Sequence, residues 1–228
     1  MSESLKDWTP RQLPARRTFE GRFVTIEPLD AAYHGDGLYA ISSVPDVEIR
    51  FRGLSDYPPE SRAAFQPWLD KAERSEDPLF FTLIDKASGE IAGRQTLMRI
   101  DAKNGVIEIG NVYWGPAMSR KPAATEALFL FGRYVFDELG YRRFEWKCNN
   151  NNTASKKAAA RFGFVFEGLF RQHMIIKGLN RDTAWFAMID KDWPRNRKAL
   201  EQWLDPSNFD EKGIQKERLE DIRAGIPA

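Results

Sequence analysis

Cysteine and histidine are almost absent from this sequence of 228 residues. Because Cys148 is the single cysteine, the chain cannot form an internal disulfide or a cysteine-rich zinc site. Only two histidines are present, so we predict no metal site. We expect His34 at the surface and His173 in a strand with a satisfied hydrogen bond.

Long apolar runs and an excess of one charge are also missing. No segment approaches the length of a membrane span, and residues 1–17 lack the apolar core of a signal peptide, so we expect a cytoplasmic protein. The net charge of +1 gives no bulk electrostatic reason to expect binding to nucleic acid or to a membrane. Any bound anion must therefore be held by a local site.

Hydrophobic residues, in contrast, make up 42% of the chain, which is enough to build a core. The composition is uneven along the sequence. Residues 1–19 are polar and contain prolines, which predicts an extended N-terminal arm. We predict one folded domain over residues 20–192 and a charged, helical C-terminal extension over residues 193–228. The extension is either solvated or a docking helix.

Alternating and helical patterns follow one another in a definite order. Residues 23–29 predict a strand, and helices follow up to residue 74. Three strands then alternate with short turns, and Asn104-Gly105 is a strong hairpin signal. A helix over 122–139, a strand over 143–148, a second helix and two further strands complete the pattern. This order predicts an α+β fold with a central, mostly antiparallel mixed sheet flanked by helices, in which the step from 106 to 148 adds one parallel neighbour.

Four short motifs carry a resemblance to a known family. They are Glu108-Ile-Gly110 in a strand, Ala124-Thr-Glu-Ala127 in a helix, Asn152-x-x-Ser155, and Gly163-Phe164 eight residues after that serine. With these motifs, residues 20–192 resemble the GNAT superfamily of acyl-CoA N-acyltransferases, and in particular the RimJ/RimL branch. The resemblance implies a three-layer fold and acetyl-CoA as co-substrate. It also implies transfer of the acetyl group to a primary amine by direct attack in a ternary complex.

The loop before the 122–139 helix departs from the family's pyrophosphate signature. Ser119, Pro122 and Ala124 fall on its three positions, and only Ala124 matches. Pro122 lacks an N–H group, although proline suits the first position of a helix. The resemblance places the diphosphate at this helix start, where backbone N–H groups and basic side chains would hold it. The cofactor-binding residues implied here are Ser119, Arg120, Lys121, Ala123, Ala124 and Thr125. The alternative for this loop is an ordinary exposed helix start. The alternative for the whole protein is a non-catalytic module of the same fold that binds CoA or another nucleotide.

The resemblance also assigns roles around the thioester. Glu108 would act as the base for the acceptor amine, unless it is simply a solvent-facing residue of an alternating strand. Ser155 would protonate the leaving thiolate, and Asn152 would contact the pantetheine arm. Both residues also fit a purely structural role at a helix N-terminus. A strand bulge would present a backbone amide to the thioester carbonyl. The cofactor-binding residues implied at this bulge are Val112, Tyr113 and Trp114.

The acceptor side falls on an aromatic-rich segment with several arginines. Arg50, Phe51 and Arg52 would shape the acceptor pocket and could receive a carboxylate or a phosphate group. The alternative is a loop that is merely pinned by its aromatic residues. The acceptor itself is either a small molecule or a peptide or protein N-terminus, and the oligomeric state stays open between a monomer and a homodimer.

Overall fold

The computed structural model describes residues 4–119 and 121–227. Within them, the strands are β1 (Phe19–Glu20), β2 (Val24–Pro28), β3 (Leu79–Asp85), β4 (Ile91–Asp101), β5 (Val106–Trp114), β6 (Arg143–Asn149), β7 (Val165–Ile176) and β8 (Leu179–Ile189). The helices are α1 (Ala31–Ile41), α2 (Val47–Phe51), α3 (Arg62–Arg74), α4 (Pro122–Arg133), α5 (Thr153–Phe162), α6 (Trp193–Leu204) and α7 (Leu219–Gly225).

All the strands join one sheet in the order β1-β2-β3-β4-β5-β6-β8-β7. Strands β5 and β6 pair in parallel, and every other neighbouring pair is antiparallel. The predicted α+β class with a mostly antiparallel mixed sheet is therefore confirmed. The single parallel step also lies where the strand–helix–strand pattern predicted it.

Capping residues fix the ends of several helices. Asp30 accepts a hydrogen bond from the Tyr33 N–H at 2.8 Å and starts α1. Asn152 accepts one from the Ser155 N–H at 3.0 Å and starts α5, which ends at Gly163 with φ of 95°. A glycine suits this position because its φ is left-handed. These local signals place α5 directly after β6.

Helices cover both faces of the sheet, which gives three layers. On one face, the helices α4, α6 and α7 pack against the sheet in the main hydrophobic core. On the other face, α1 and α3 enclose a smaller core that includes Leu38, Leu69 and Phe80. The predicted apolar stripe of α4 is buried, for example at Ala127 and Phe131. No helix in the described residues has both the length and the apolar content that a membrane span needs.

The two terminal segments pack against the same body. Trp8 donates from Nε1 to the Lys103 carbonyl at 2.8 Å, which holds the N-terminal arm on the turn before β5. In α7, Leu219 and Ile222 are buried in the main core. The domain division at 19/20 and 192/193 stays a prediction.

The two histidines lie in different settings. The prediction that His34 is a surface residue is wrong, because it is only 1% exposed. Its Nε2 lies 3.1 Å from Glu27 Oε2 and its Nδ1 accepts from the Asp30 N–H, so α1 turns the ring inward. His173 lies in β7, and its Nδ1 is 2.9 Å from Thr183 Oγ1, as expected of a strand residue.

Candidate active site

A cleft opens where the parallel pairing of β5 and β6 stops. The two strands pair from Val106 opposite Arg143 to Ile109 opposite Trp146, and β5 then continues to Trp114 without β6 as its partner. The gap widens into a cleft of about 630 Å³. Its walls come from β4, β5, β6, the start of α5, α2 with the segment that follows it, and the β7–β8 hairpin.

Several of the predicted site residues meet at this cleft. The base candidate Glu108 and the acid candidate Ser155 lie in its wall together with Asn152. The two predicted acceptor-side arginines come from the facing segment. The predicted residues that line the cleft are Arg50, Arg52, Glu108, Val112, Trp114, Asn152 and Ser155.

Other predicted residues are placed elsewhere. Phe51 and Tyr113 are each 2% exposed and pack against each other at 4.9 Å between ring centroids, behind the cleft rather than in it. Phe51 therefore supports the wall, and its predicted substrate contact stays a prediction. Arg120 lies outside the described residues. The predicted residues at the helix start that do not line the cleft are Ser119, Lys121, Ala123, Ala124 and Thr125.

The strand bulge predicted near Val112–Trp114 lies slightly earlier. Tyr113 pairs with Arg94 and Gly110 pairs with Thr96, so Asn111 and Val112 together oppose one residue of β4. Asn111 has φ of 47°, a left-handed conformation that asparagine tolerates better than most residues. The bulge bends β5 at the point where β6 leaves it, which aims the following backbone into the cleft.

Glu108 is buried rather than solvent-facing, with 3% of its surface exposed. Its Oε2 lies 2.7 Å from Arg99 Nη1 and 2.8 Å from Lys147 Nζ. Both ionic contacts fall on this one oxygen, while Oε1 faces Gly110, where a methyl group in place of the glycine hydrogen would lie 3.5 Å away. Glu108 is thus a charged group with one oxygen engaged and the other directed toward the bulge.

A network of buried charges surrounds Glu108, and it was not predicted from the sequence. Lys147 Nζ bridges Glu108 and Glu145, at 2.8 and 2.6 Å, and lies 3.8 Å from the centroid of the Trp185 ring. Burial acts to raise the pKa of Glu145, but hydrogen bonds from Lys147 and Arg143 outweigh it and lower that pKa overall. The signal in the sequence was the alternation of Arg143, Glu145 and Lys147 in β6, which puts three charges on one face of the strand.

Asn152 and Ser155 have the structural role that the sequence allowed for. Asn152 caps α5, and Ser155 Oγ accepts a hydrogen bond from Trp146 Nε1 at 2.9 Å. Because Oγ of Ser155 accepts from the indole, the hydroxyl proton of Ser155 points away from Trp146. It reaches the sulfur of Cys148. Burial raises the pKa of the Cys148 thiol, so this cysteine is a neutral wall residue.

The start of α4 lies beside the cleft rather than inside it. Lys121 is the N-cap residue and is exposed, and its side chain makes no capping hydrogen bond. Arg50 connects this turn to the cleft, since its Nη1 lies 3.5 Å from Ser119 Oγ. The N-terminal end of α4 therefore keeps backbone N–H groups without a side-chain cap near one end of the cleft.

The Thr-Glu-Ala part of the α4 motif has a structural function here. Glu126 is 6% exposed and accepts hydrogen bonds from the backbone of residues 22–24, the nearest at 2.6 Å. Thr125 Oγ1 accepts from Arg161 Nη1 of α5 at 3.0 Å. These contacts fix α4 to the β1–β2 turn and to α5.

The segment from the end of α1 to Asp56, which includes α2, is held over the cleft by contacts from three sides. Lys177, at the tip of the β7–β8 hairpin, donates to the Phe51 carbonyl at 2.9 Å. Arg94 of β4 pairs with Asp56 at 3.1 Å, and the Tyr113 hydroxyl donates to the Ile41 carbonyl. The segment is therefore pinned, as the alternative for the acceptor loop supposed, and it still presents Arg50 and Arg52 to the cleft.

Residues 24–165 match the family model described as "Acetyltransferase (GNAT) domain". This match covers more than half of the chain. The chain belongs to the GNAT acetyltransferase family. The resemblance seen in the sequence motifs is thereby confirmed.

Known proteins of this family are similar to this chain over between about half and nearly all of its length. A GCN5-related N-acetyltransferase from Brucella melitensis, known from its crystal structure, is 62% identical with a TM-score of 0.96, covering 96% of this chain and 100% of that one. The uncharacterized N-acetyltransferase p20 of Bacillus licheniformis is 32% identical over 50% of this chain. The putative ribosomal N-acetyltransferase YdaF of Bacillus subtilis is 27% identical over 46% of it. The matches span 63% and 57% of these two curated relatives.

Proposed function

We propose that this GNAT protein is a cytoplasmic N-acetyltransferase that transfers the acetyl group of acetyl-CoA to a primary amine. The observation that carries the proposal is the cleft at the end of the β5–β6 pairing, with Glu108 in its wall. Such a gap can accommodate the extended arm of a ligand between the two strands, with Glu108 beside that arm. Holding the two substrates side by side in this cleft would supply much of the rate acceleration through proximity.

The residues around the cleft fit acetyl-CoA. The N-terminal end of α4 has no side-chain cap, so its first backbone N–H groups can receive a diphosphate. Lys121 is exposed at this end and adds positive charge. Arg120 precedes it in the sequence. The pantetheine arm would run between the strands past Asn152. When bound, acetyl-CoA supplies an activated acetyl group as a thioester.

Glu108 is our proposed base for the acceptor. An amine attacks only in its neutral form, so the ammonium of the acceptor must first lose a proton. Oε1 of Glu108 faces Gly110 at the bulge and can take that proton, directly or through water. Arg99 and Lys147 hold the other oxygen and so fix the direction of the carboxylate.

The bulge and Ser155 complete the proposed chemistry. A backbone N–H at Val112–Trp114 would donate to the thioester carbonyl and stabilise the negative charge that develops on its oxygen. Ser155 Oγ accepts from Trp146, so its hydroxyl proton would turn from the Cys148 sulfur to the departing sulfur. No tyrosine lies in α5, whose sequence between Ser155 and Phe162 is KKAAAR, so Ser155 or water is the candidate acid.

The acceptor in this proposal is a small molecule or a peptide or protein N-terminus. A place in the RimJ/RimL branch is supported by the sequence motifs and by the likeness to a putative ribosomal N-acetyltransferase. One observation favours a second candidate, a non-catalytic module that binds CoA or a nucleotide. Pro122 occupies the first helical position of α4 and removes one N–H group from the expected diphosphate site.

Release of free thiol from acetyl-CoA separates the two candidates. The full-length protein is incubated with acetyl-CoA and a panel of amines that includes amino acids, peptides and a ribosomal protein extract. We expect thiol release that depends on an amine and yields an acetylated product by mass spectrometry. Calorimetric binding of CoA without turnover of any amine would instead support the non-catalytic module.

Reversal of charge at the α4 start tests the position of the diphosphate. The double substitution Arg120→Glu and Lys121→Glu should weaken acetyl-CoA binding at least about tenfold, because it places negative charge beside the diphosphate. The thermal midpoint should hardly change, since Lys121 is exposed. Lys71→Glu, on the exposed side of α3, is the matched control. An unchanged affinity in the double variant would refute this placement.

We further propose a homodimer formed through β7. This strand is a sheet edge of twelve residues, and it exposes Phe166 and Phe170 at 54% and 48%. Exposed apolar edge strands favour pairing with another chain. Light scattering after size exclusion should give about twice the chain mass of 26.2 kDa, and Phe166→Asp should lower it toward the monomer. A monomer at micromolar concentration would contradict this proposal.

A further inference from the structure

The charges that line the cleft are unbalanced. Among the described residues, its wall contains five cationic side chains and one carboxylate, that of Glu108. Arg99 and Lys147 pair with Glu108, and Arg50 pairs with Asp46 at 2.8 Å. The cations of the wall that take part in none of these pairs are Arg52 and Arg181.

Arg181 differs from Arg52 because it is half-buried. Its Nε is inaccessible to solvent and has no hydrogen-bond partner in the described part of the chain. Nor does its guanidinium form an ion pair there. Burial lowers the pKa of Arg181, while the carboxylate of Glu108 and the Cys148 thiol act in the opposite direction. A partly desolvated cation without a counter-ion is unfavourable, so a position of this kind suits an anion that arrives with a ligand.

The strand register places Arg181 on the side of Glu108. Lys147 of β6 is opposite Trp185 of β8, and its ammonium lies over that ring. Arg181 is four residues before Trp185 in the same strand and so shares its face. Trp146 alternates with Lys147 along β6 and so points to the other face of the sheet, where its indole donates to Ser155 Oγ. An anion at Arg181 is therefore beside the proposed base and away from the diphosphate position at the start of α4.

We propose that Arg181 binds a carboxylate or phosphate group of the amine acceptor. This inference rests on the proposed acetyltransferase function and narrows the acceptor to anionic amines. The planar guanidinium can hold either group through two parallel hydrogen bonds. Arg52, on the facing segment, adds a second positive charge at the cleft. Glu108 would then receive the ammonium end of the same molecule.

Matched acceptor pairs test the proposal. Amino acids are compared with their amides, and O-phosphoethanolamine with ethanolamine, by thiol release from acetyl-CoA with the full-length protein. Arg181→Gln should lower kcat/KM for the anionic member by about tenfold to a hundredfold, which is the effect of losing a charged hydrogen bond. The neutral member and the KM for acetyl-CoA should not change. Comparing each pair between wild type and variant cancels the intrinsic reactivity of the amines.

Two further variants sharpen the test. Arg181→Lys keeps the positive charge but lacks the planar guanidinium with its two parallel donors. It should retain part of the preference for anionic acceptors. Arg74→Gln, at the exposed end of α3 and outside the cleft, is the matched control and should retain all of it. Comparing the carboxylate pairs with the phosphate pair identifies the anion. Arg181→Gln should lower kcat/KM only for acceptors that carry the group that Arg181 binds. An equal loss for both members of every pair, or a raised KM for acetyl-CoA, would overturn the inference.

Different results would refute the anion site and the proposed acetyltransferase function. Turnover of amines without any preference for anionic members refutes the anion site alone. Absence of turnover refutes the proposed function, and binding then tests the site by itself. Calorimetry with N-acetyl amino acids and their amides, in the presence of CoA, should show tighter binding of the acids to wild type than to Arg181→Gln. The same comparison is made with O-phosphoethanolamine and ethanolamine, and equal binding of the charged and neutral members to wild type in both pairs would refute the anion site.

Discussion

Substitution of Lys147 by methionine tests the buried charge network most sharply. Methionine keeps an unbranched side chain of similar length but removes the ammonium. Lys147 and Glu108 are each 4% exposed at their side chains and Glu145 is 9% exposed. Glu108 and Glu145 are also direct neighbours in the parallel register, so the variant leaves two carboxylates facing each other.

The expected cost is large because a buried pair loses one partner. Breaking such a pair costs about 3–5 kcal/mol of the free energy of unfolding at neutral pH. For a chain of this size, that lowers the melting temperature by about 6–20 °C. Loss of the contact between the ammonium and the Trp185 ring acts in the same direction.

The pH dependence follows from the lowered pKa of Glu145. A carboxyl group with a lowered folded-state pKa contributes stability above its unfolded value of 4.5, and this contribution is lost as the pH falls below that value. In Lys147→Met the contribution from the ammonium is missing at every pH. The difference between wild type and variant should therefore be largest near neutral pH and shrink as the pH falls through 4.5.

Urea titrations followed by tryptophan fluorescence between neutral and mildly acidic pH measure this difference. Lys86→Met is the matched control, because Lys86 pairs with Glu20 at the surface, with 39% and 64% of the two side chains exposed. The control should lose less than about 1 kcal/mol. A loss below about 1 kcal/mol in Lys147→Met at neutral pH, or a loss that does not shrink in acid, would refute the reasoning.

Three other expectations concern single groups. Glu108→Gln should lower kcat about a hundredfold or more with little change in acetyl-CoA affinity, because the variant cannot take a proton; unchanged kcat in steady-state assays would exclude Glu108 as the base. Asn152→Ala should cost about 1 kcal/mol in urea titrations, because α5 loses its N-cap; a cost near zero would mean that the cap is dispensable. Burial raises the pKa of Tyr141 to about 12, so this phenol should ionise last in an ultraviolet titration. Its stabilising contribution is present below pH 10.0 and is lost as the pH rises through about 12, and Tyr141→Phe should remove that loss.

Most of the fold could be predicted from the sequence because its signals are local. Asn104-Gly105 marked a hairpin, and the stripe of α4 marked a buried helix, and both predictions agree with the structure. The burial of His34 could not be predicted in this way. It depends on Glu27, a residue of another element, which meets the ring only after α1 folds onto the sheet.

The site was predictable where one short segment forms it and unpredictable where distant segments meet. Asn152 and Ser155 lie in one helical turn, and their spacing indicated the N-cap of α5. Arg99 and Lys147 lie far apart in the sequence and converge on Glu108 through the register of β4, β5 and β6. Arg181 comes from β8, and the absence of a hydrogen-bond partner for its buried Nε within the described residues is a property of the assembled wall alone.

The central claim is that acetyl-CoA lies in the gap between β5 and β6 against the start of α5. Calorimetric titration with acetyl-CoA of wild type and of Ala154→Phe tests it most directly. Ala154 is exposed and lines the cleft, so a phenyl group there should weaken binding at least about tenfold by occupying the gap. Ala160→Phe, on the exposed side of α5 away from the cleft, should bind like wild type. Equal affinity in wild type and Ala154→Phe, with both folded, would contradict the account.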